Sequence, residues 1–153
     1  MSFQWDAQAA QLLRDPTATK ILVSNNRHGS PHTVVDHTIT LDEDGHILYL
    51  ELLETSESNS NLVNSLWFKK DVALYVTDGT VSFQVKGIPI RSIVSGPAFG
   101  HYYRQAQAKD PEDDLSTVWI IEPHSLTNET YTVKRQLERE NHPLTIHLDR
   151  LAK

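Results

Sequence analysis

Residues 72–94, VALYVTDGTVSFQVKGIPIRSIV, carry the strongest evidence for the fold. Three apolar residues alternate with other residues at the start of this stretch, as in a half-buried strand: Val72, Leu74 and Val76. Asp78 and Gly79 follow, and this pair favours a type I′ hairpin turn, in which both central residues have positive φ. A second, longer strand is expected at about 80–94. The stretch therefore predicts two antiparallel strands joined by a tight turn.

Gly87 and Pro89 interrupt the longer strand. Proline cannot donate to a strand ladder and glycine has no side chain to pack, so neither suits a flat central strand. The pair predicts a bulge or a barrel corner at this point.

Four further strands are predicted, at about 20–25, 32–41, 47–53 and 116–122. Short helices are expected at about 5–13, 62–67, 97–106 and 130–140. No helical segment separates the first three strands, which excludes a doubly wound parallel sheet. Six strands joined mostly by hairpin-length turns favour a small, closed or partly closed antiparallel barrel.

Composition limits the classes of function. The 153 residues, 39% hydrophobic and 22% charged, suit one globular domain over 1–153, and no apolar run approaches a membrane span. The chain has no cysteine, which excludes disulfides, thiolate zinc sites and iron–sulfur clusters. With no export signal at the N-terminus, this composition favours a cytoplasmic protein. The net charge of −6 disfavours nucleic acid as a partner.

Four passages, in their order and spacing, resemble one known family: residues 20–35, 44–50, 55–62 and 82–90. The first is a strand, a Gly-Ser-Pro turn and a second strand, and the third is a polar loop that enters a short helix. The last is a strand with a glycine in its middle. Over about 17–122 the chain resembles the pyridoxamine-phosphate-oxidase-like, FMN-binding split-barrel family.

The resemblance implies a mainly β fold, a six-stranded antiparallel split β-barrel at about 17–122 with a helical C-terminal tail at 123–153. It implies a homodimeric flavoprotein that holds FMN in a groove between two barrels. The implied activity is that of an oxidoreductase that passes electrons from NAD(P)H or another donor through the flavin, with the catalytic residues unassigned. The Trp-Arg-Leu-x-Pro-like ending of the vitamin-making oxidase is absent, so pyridoxal-phosphate synthesis is not implied.

The resemblance assigns the FMN phosphate to a polar cluster at a helix start: Thr55, Ser56, Ser58 and Asn61. Short donors and backbone N–H groups converge at such a place. Ordinary N-capping by Ser58 or Ser60 is the alternative. Family members usually carry a lysine or an Arg-Lys pair here, whereas this chain has Glu57 and Ser58. A glutamate facing the phosphate weakens FMN binding unless Lys86 or Arg91 compensates.

The resemblance assigns the flavin ring to Asp36, His37 and Thr38, and its edge to Gln84. One predicted strand contains the first three residues, and its alternation places five residues on one face: Thr33, Val35, His37, Ile39 and Leu41. His37 therefore has a second interpretation, as a hydrogen-bonded core histidine.

Other functions have weaker support. The eight histidines fall mostly in turns and strands without a metal-binding pattern, so no metal site is predicted, and no Gly-x-Ser-x-Gly motif indicates a serine hydrolase. Trp67 and Trp119 could stack at a dimer interface or simply pack in the core. The main alternative function is a non-catalytic, dimeric small-ligand-binding protein on the same barrel, apo or holding haem or a deazaflavin. His142 and His147 are the candidate haem contacts.

Overall fold

The structure is a computed structural model that describes residues 3–143. Seven strands form one antiparallel sheet in the order β2-β1-β5-β6-β7-β4-β3. The strands are β1 Thr19–Asn25, β2 Pro31–Val35, β3 Thr40–Leu41, β4 Ile47–Glu51, β5 Val72–Thr77, β6 Ser82–Ile93 and β7 Thr117–Asn128. The helices are α1 Ala7–Arg14, α2 Glu57–Phe68, α3 Gly96–Lys109 and α4 Tyr131–Asn141. None of these four helices has the length and apolar character needed to cross a bilayer.

The sheet curls because a short connection joins its two edges. β2 and β3 lie at opposite edges, six inter-strand steps apart, which is about 29 Å in a flat sheet. The chain passes from Val35 to Thr40 in five residue steps, which reach at most about 18 Å. The edges must therefore approach each other. The mainly β, antiparallel barrel-like architecture predicted from the sequence is confirmed.

The predicted count of six strands is wrong, because the strand expected at 32–41 is divided into β2 and β3. Asp36 accepts hydrogen bonds from both the N–H and the hydroxyl of Thr38, which closes a turn at this point. The predicted alternation therefore does not continue from Val35 to Leu41, and Asp36, His37 and Thr38 lie in a turn rather than in a strand.

The hairpin between β5 and β6 is confirmed, with a different turn. Gly79 has a φ of +93°, whereas Asp78 does not have positive φ, so the turn is not type I′. The connection comprises residues 78–81, and the Asp78 carboxylate accepts hydrogen bonds from the N–H groups of Thr80 and Val81. This side-chain bonding replaces the backbone geometry that the Asp-Gly pair predicts.

The predicted irregularity in β6 is confirmed, since the β6–β7 register shifts between Lys86 and Gly87 and again between Pro89 and Arg91.

β7 is longer than predicted and continues to Asn128, so the segment from residue 123, expected in a helical tail, begins as a strand. The helix predicted at about 130–140 is present as α4. The rest of the expected tail, residues 144–153 with the candidate haem contact His147, lies outside the described residues.

Two groups of buried side chains pack on the sheet. The larger group lies inside the curl and includes Leu12 and Leu13 of α1 and Leu62 of α2. The smaller lies under α3, where Leu48 and Leu50 meet partly buried aromatic residues of that helix. β4 is therefore buried on both faces, and every residue of Ile47–Glu51 is buried.

Candidate functional site

Two segments with predicted site residues meet at the C-terminal end of β4. In the turn at 36–38, the Thr38 hydroxyl accepts a hydrogen bond from the N–H of Leu50 at 3.0 Å. In the segment 55–61, the Ser56 hydroxyl donates to the Glu51 carboxylate. Since Leu50 and Glu51 are neighbours in β4, both segments are held at one end of this strand.

Ser56 is the N-cap of α2, because its side chain accepts a hydrogen bond from the N–H of Asn59 at 2.9 Å. The capping role expected of Ser58 or Ser60 therefore belongs to Ser56. Glu57, the first residue of α2, lies 3.2 Å from Nδ1 of His32 on β2. The helix start is already capped by a side chain of this chain and carries an acidic residue.

Glu51 is a buried carboxyl group beneath this helix start. Its residue is only 4% exposed, and the Tyr49 hydroxyl donates to its Oε2 at 2.7 Å. Burial raises the pKa of Glu51, and burial together with the hydrogen bond to Glu51 raises the pKa of Tyr49. Glu51 is not among the site residues predicted from the sequence, although an acidic residue inside the apolar run at 47–53 is a visible signal.

The 55–61 segment does not fit the phosphate of FMN. Ser58 is 2% exposed, and the Asn61 amide donates to the Ser24 hydroxyl at 3.1 Å. With Ser56 also engaged, Thr55 alone of the four predicted phosphate contacts has an exposed side chain. Three glutamates lie within the segment or just before it in the chain: Glu51, Glu54 and Glu57. A phosphate dianion here would meet acidic side chains and donors that already have partners.

Gln84 and Lys86 do not join the end of β4. Both lie on β6, on the face opposite the buried Phe83 and Val85. Gln84 is partly buried beside Tyr75 on the neighbouring strand, and Lys86 is exposed. Among the described residues, neither side chain forms a hydrogen bond or an ion pair with the segments at 36–38 or 55–61.

A cavity of about 390 Å³ lies between α3, the N-terminal part of β1 and the outer face of β4, and we name it the α3 cavity. Its floor is apolar, formed by Leu48, Leu50, Leu52 and Ala106. Its polar and charged lining comprises Arg14, Lys20, His37, Thr38, Thr40, Tyr102, Gln105, Lys109 and Asp113. Two of the predicted ring contacts, His37 and Thr38, therefore line a real cavity. His37 is exposed, so its interpretation as a core histidine is wrong.

Lys20 is the buried cation of the α3 cavity. It is 2% exposed, and its ammonium donates to the backbone carbonyl of Ile39 at 2.7 Å. Burial lowers the pKa of Lys20 and outweighs the charge of Asp15, which acts in the opposite direction. Lys20 is not among the site residues predicted from the sequence, although a strand at 20–25 places it on the same face as the buried Leu22.

Asp42, Asp44 and His46 bring their ligand-type atoms within 4.8 Å of one another in the β3–β4 turn. The Asp42 side chain accepts hydrogen bonds from the N–H groups of Asp44 and His46 at 2.9 and 2.8 Å. These contacts are those of a turn stabilised by aspartate, which accounts for the grouping.

The two tryptophans have different environments. Trp119 is 1% exposed, and its indole N–H donates to the Asn59 side chain at 2.9 Å, so it is a core residue. Trp67, in contrast, is 77% exposed on α2, next to the exposed Val63 and Phe68. Trp67 alone of the pair is available for contact with another molecule.

No protein-family model and no curated protein matches the sequence. Solved structures do match the fold. HupZ from Group A Streptococcus superposes with a TM-score of 0.68 at 14% identity, over 84% of this chain and 96% of that one. An FMN-binding protein from Syntrophomonas wolfei gives a TM-score of 0.65 at 12% identity, over 82% and 88% of the two chains. A candidate pyridoxamine 5′-phosphate oxidase from Lactobacillus delbrueckii gives 0.63 at 17% identity, over 81% and 93%.

This chain has the FMN-binding split-barrel fold. Identities of 12–17% establish the fold alone, and many functions can share one fold. The resemblance found in the sequence is thereby confirmed at the level of the fold. A function for this chain must therefore be argued from the geometry of the α3 cavity and of the start of α2.

Proposed function

We propose that the chain is a small-ligand-binding protein that holds a flat, flavin-type ligand in the α3 cavity. The observation that carries this proposal is the cavity itself, which joins an apolar floor to the polar turn at 36–38. Its volume of about 390 Å³ lies within the usual range of about 300–1,000 Å³ for ligand sites. The fold neighbour from Syntrophomonas wolfei, an FMN-binding protein, supports a flavin as the ligand class.

The lining suits a planar aromatic ligand. The leucines of β4 provide an apolar surface, and Tyr102 of α3 adds an aromatic ring at its edge. Thr38 and Gln105 offer hydrogen-bonding groups that can fix the orientation of such a ring. Asp36 directs its carboxylate to Thr38, and therefore acts by holding the turn rather than by contacting the ring.

The proposed assembly is a homodimer. Val63, Trp67 and Phe68 form an exposed apolar patch on α2, here named the α2 patch. Leu53 and Val94 are also exposed, at 69% and 62%. Exposed apolar groups of this kind favour contact with another molecule, and the split-barrel resemblance implies that this molecule is a second barrel.

Flavin titration tests the proposal. Purified protein should quench the fluorescence of added FMN or riboflavin and bind at micromolar concentrations. Ala106 on α3 lines the cavity and is 7% exposed, so Ala106→Leu fills the cavity and should abolish binding. Ala108→Leu is the matched control, because Ala108 is an exposed residue of the same helix that does not line the cavity.

Circular dichroism of both variants checks that α3 is intact. Wild-type protein that binds no flavin would refute the proposal. Unchanged binding by a folded Ala106→Leu variant would exclude the α3 cavity as the site.

The second candidate function is an FMN-dependent oxidoreductase using NAD(P)H or another donor, favoured by the oxidase candidate among the fold neighbours. Bound flavin supplies redox chemistry, and the chain's residues bind and orient it. Anaerobic mixing of the flavin-loaded protein with NADH or NADPH separates the candidates. Bleaching of the flavin band faster than for free FMN supports the enzyme, and an unchanged band supports the non-catalytic binding protein. The cytoplasmic location stays a prediction.

A further inference from the structure

We propose that the α3 cavity has its own anion subsite, formed by Arg14, Lys20 and Lys109, which takes the phosphate or carboxylate of the ligand in place of the 55–61 segment. This inference rests on the proposed function, since it assigns one end of the same cavity. It names the ligand class as an acidic group attached to a flat, apolar body.

The charge of the cavity lining is opposite to that of the whole chain. The lining contains three cationic residues and one carboxylate, Asp113, whereas the chain carries a net charge of −6. Two further aspartates act on Lys20 from outside the lining, Asp15 and Asp36. In each of them one oxygen, Oδ1, accepts hydrogen bonds from a threonine two residues later in the chain.

Lys20 gives the subsite its buried donor. An ammonium group has three N–H donors, and the hydrogen bond to Ile39 uses one of them. A buried ammonium has lost most of its hydration, so an anion brought to it gains a charge-assisted hydrogen bond in a site of low dielectric. Arg14 and Lys109, both exposed at the rim, add charge along the path by which an anion enters.

The start of α2 and the α3 cavity thus differ in the charge they offer. The helix start at 55–61 stands over the buried Glu51 and carries Glu57, whereas the cavity contains the buried Lys20. Coulombic attraction at a partly desolvated site exceeds that at the surface, so an anionic group is stabilised at the cavity and repelled at α2. The proposed anion subsite follows from this difference.

The test compares FMN with riboflavin, which has the same ring and no phosphate. The subsite predicts that FMN binds about 10-fold or more tightly than riboflavin in low salt, and that added salt reduces this ratio. Lys109→Gln should lower the affinity for FMN about 10-fold and leave that for riboflavin unchanged. Lys70→Gln is the matched control, because Lys70 is exposed and does not line the cavity.

A second variant examines the site implied by the resemblance. If the phosphate lies at the α3 cavity, Glu57→Lys leaves FMN affinity unchanged; if FMN affinity rises instead, the phosphate lies at α2 and the inference is overturned. Carboxymethylflavin separates a carboxylate from a phosphate preference. Equal affinities for FMN and riboflavin would overturn the anion subsite while leaving the proposed function intact. Failure of both flavins to bind refutes the proposed function itself.

Discussion

Gly87 sets the close approach of β6 and β7, and its replacement by alanine offers a direct test of the curled sheet. A Cβ at this position would lie 2.6 Å from the carbonyl oxygen of Glu122 and 2.9 Å from Cγ2 of Ile121. Both distances are shorter than any ordinary contact, and the oxygen belongs to the backbone of a paired strand, so β7 has to move. Overpacking of this kind costs about 1–3 kcal/mol, and the backbone contact places Gly87→Ala at about 2–3 kcal/mol.

The same exchange at Gly100 should have the opposite sign. Gly100 is inside α3, and a Cβ there would meet only the end of the Arg104 side chain, at 3.3 Å. Alanine in a helix interior is favoured over glycine by about 0.5–1 kcal/mol, so Gly100→Ala should stabilise the fold.

Thermal and urea unfolding of the three proteins measures both effects. With about 2–4 °C per kcal/mol for a chain of this size, Gly87→Ala should lower Tm by about 4–12 °C. Gly100→Ala should raise it by about 1–4 °C. Equal stability of Gly87→Ala and the wild type would show that β6 and β7 are not held this closely, and the account of the register shift would fail.

Three further predictions concern the end of β4 and the α2 patch. Burial raises the pKa of Glu51, so the protonated form of its carboxyl group stabilises the fold at low pH. This contribution to the free energy of unfolding is lost as pH rises through the raised pKa. The free energy of unfolding measured by urea titration should therefore decline less steeply above about pH 4.5 in Glu51→Gln than in the wild type. Ser56→Ala removes the N-cap of α2 and should cost about 1 kcal/mol in the same assay, whereas a loss below 0.3 kcal/mol would contradict the capping role. Trp67→Lys places a charge in the α2 patch and should convert a dimer to a monomer in light scattering, and an unchanged dimer would place the interface elsewhere.

Local features of the fold could be predicted from the sequence because neighbouring residues determine them. The alternation of Val72, Leu74 and Val76 and the Asp-Gly pair specify a hairpin before any long-range contact forms, and Gly87 marks an irregular strand. The division between β2 and β3 could not be predicted in this way. It depends on Asp36 bonding Thr38 and on the strands pairing at opposite edges of the sheet, which only the complete sheet defines.

Lys20 and Glu51 are site residues whose burial the sequence pattern alone indicates. Lys20 shares the inward face of the alternating strand β1 with Leu22, and Glu51 ends the fully buried strand β4. An inward charge needs a partner or a ligand, because burial without one is costly. The partner of Lys20, the carbonyl of Ile39, comes from a segment that only the folded chain brings near, whereas the Tyr49 and Ser56 hydroxyls are local to Glu51. Under the proposed function, the buried Lys20 favours the α3 cavity, and the buried Glu51 disfavours the start of α2, as the place where the acidic group of the ligand binds.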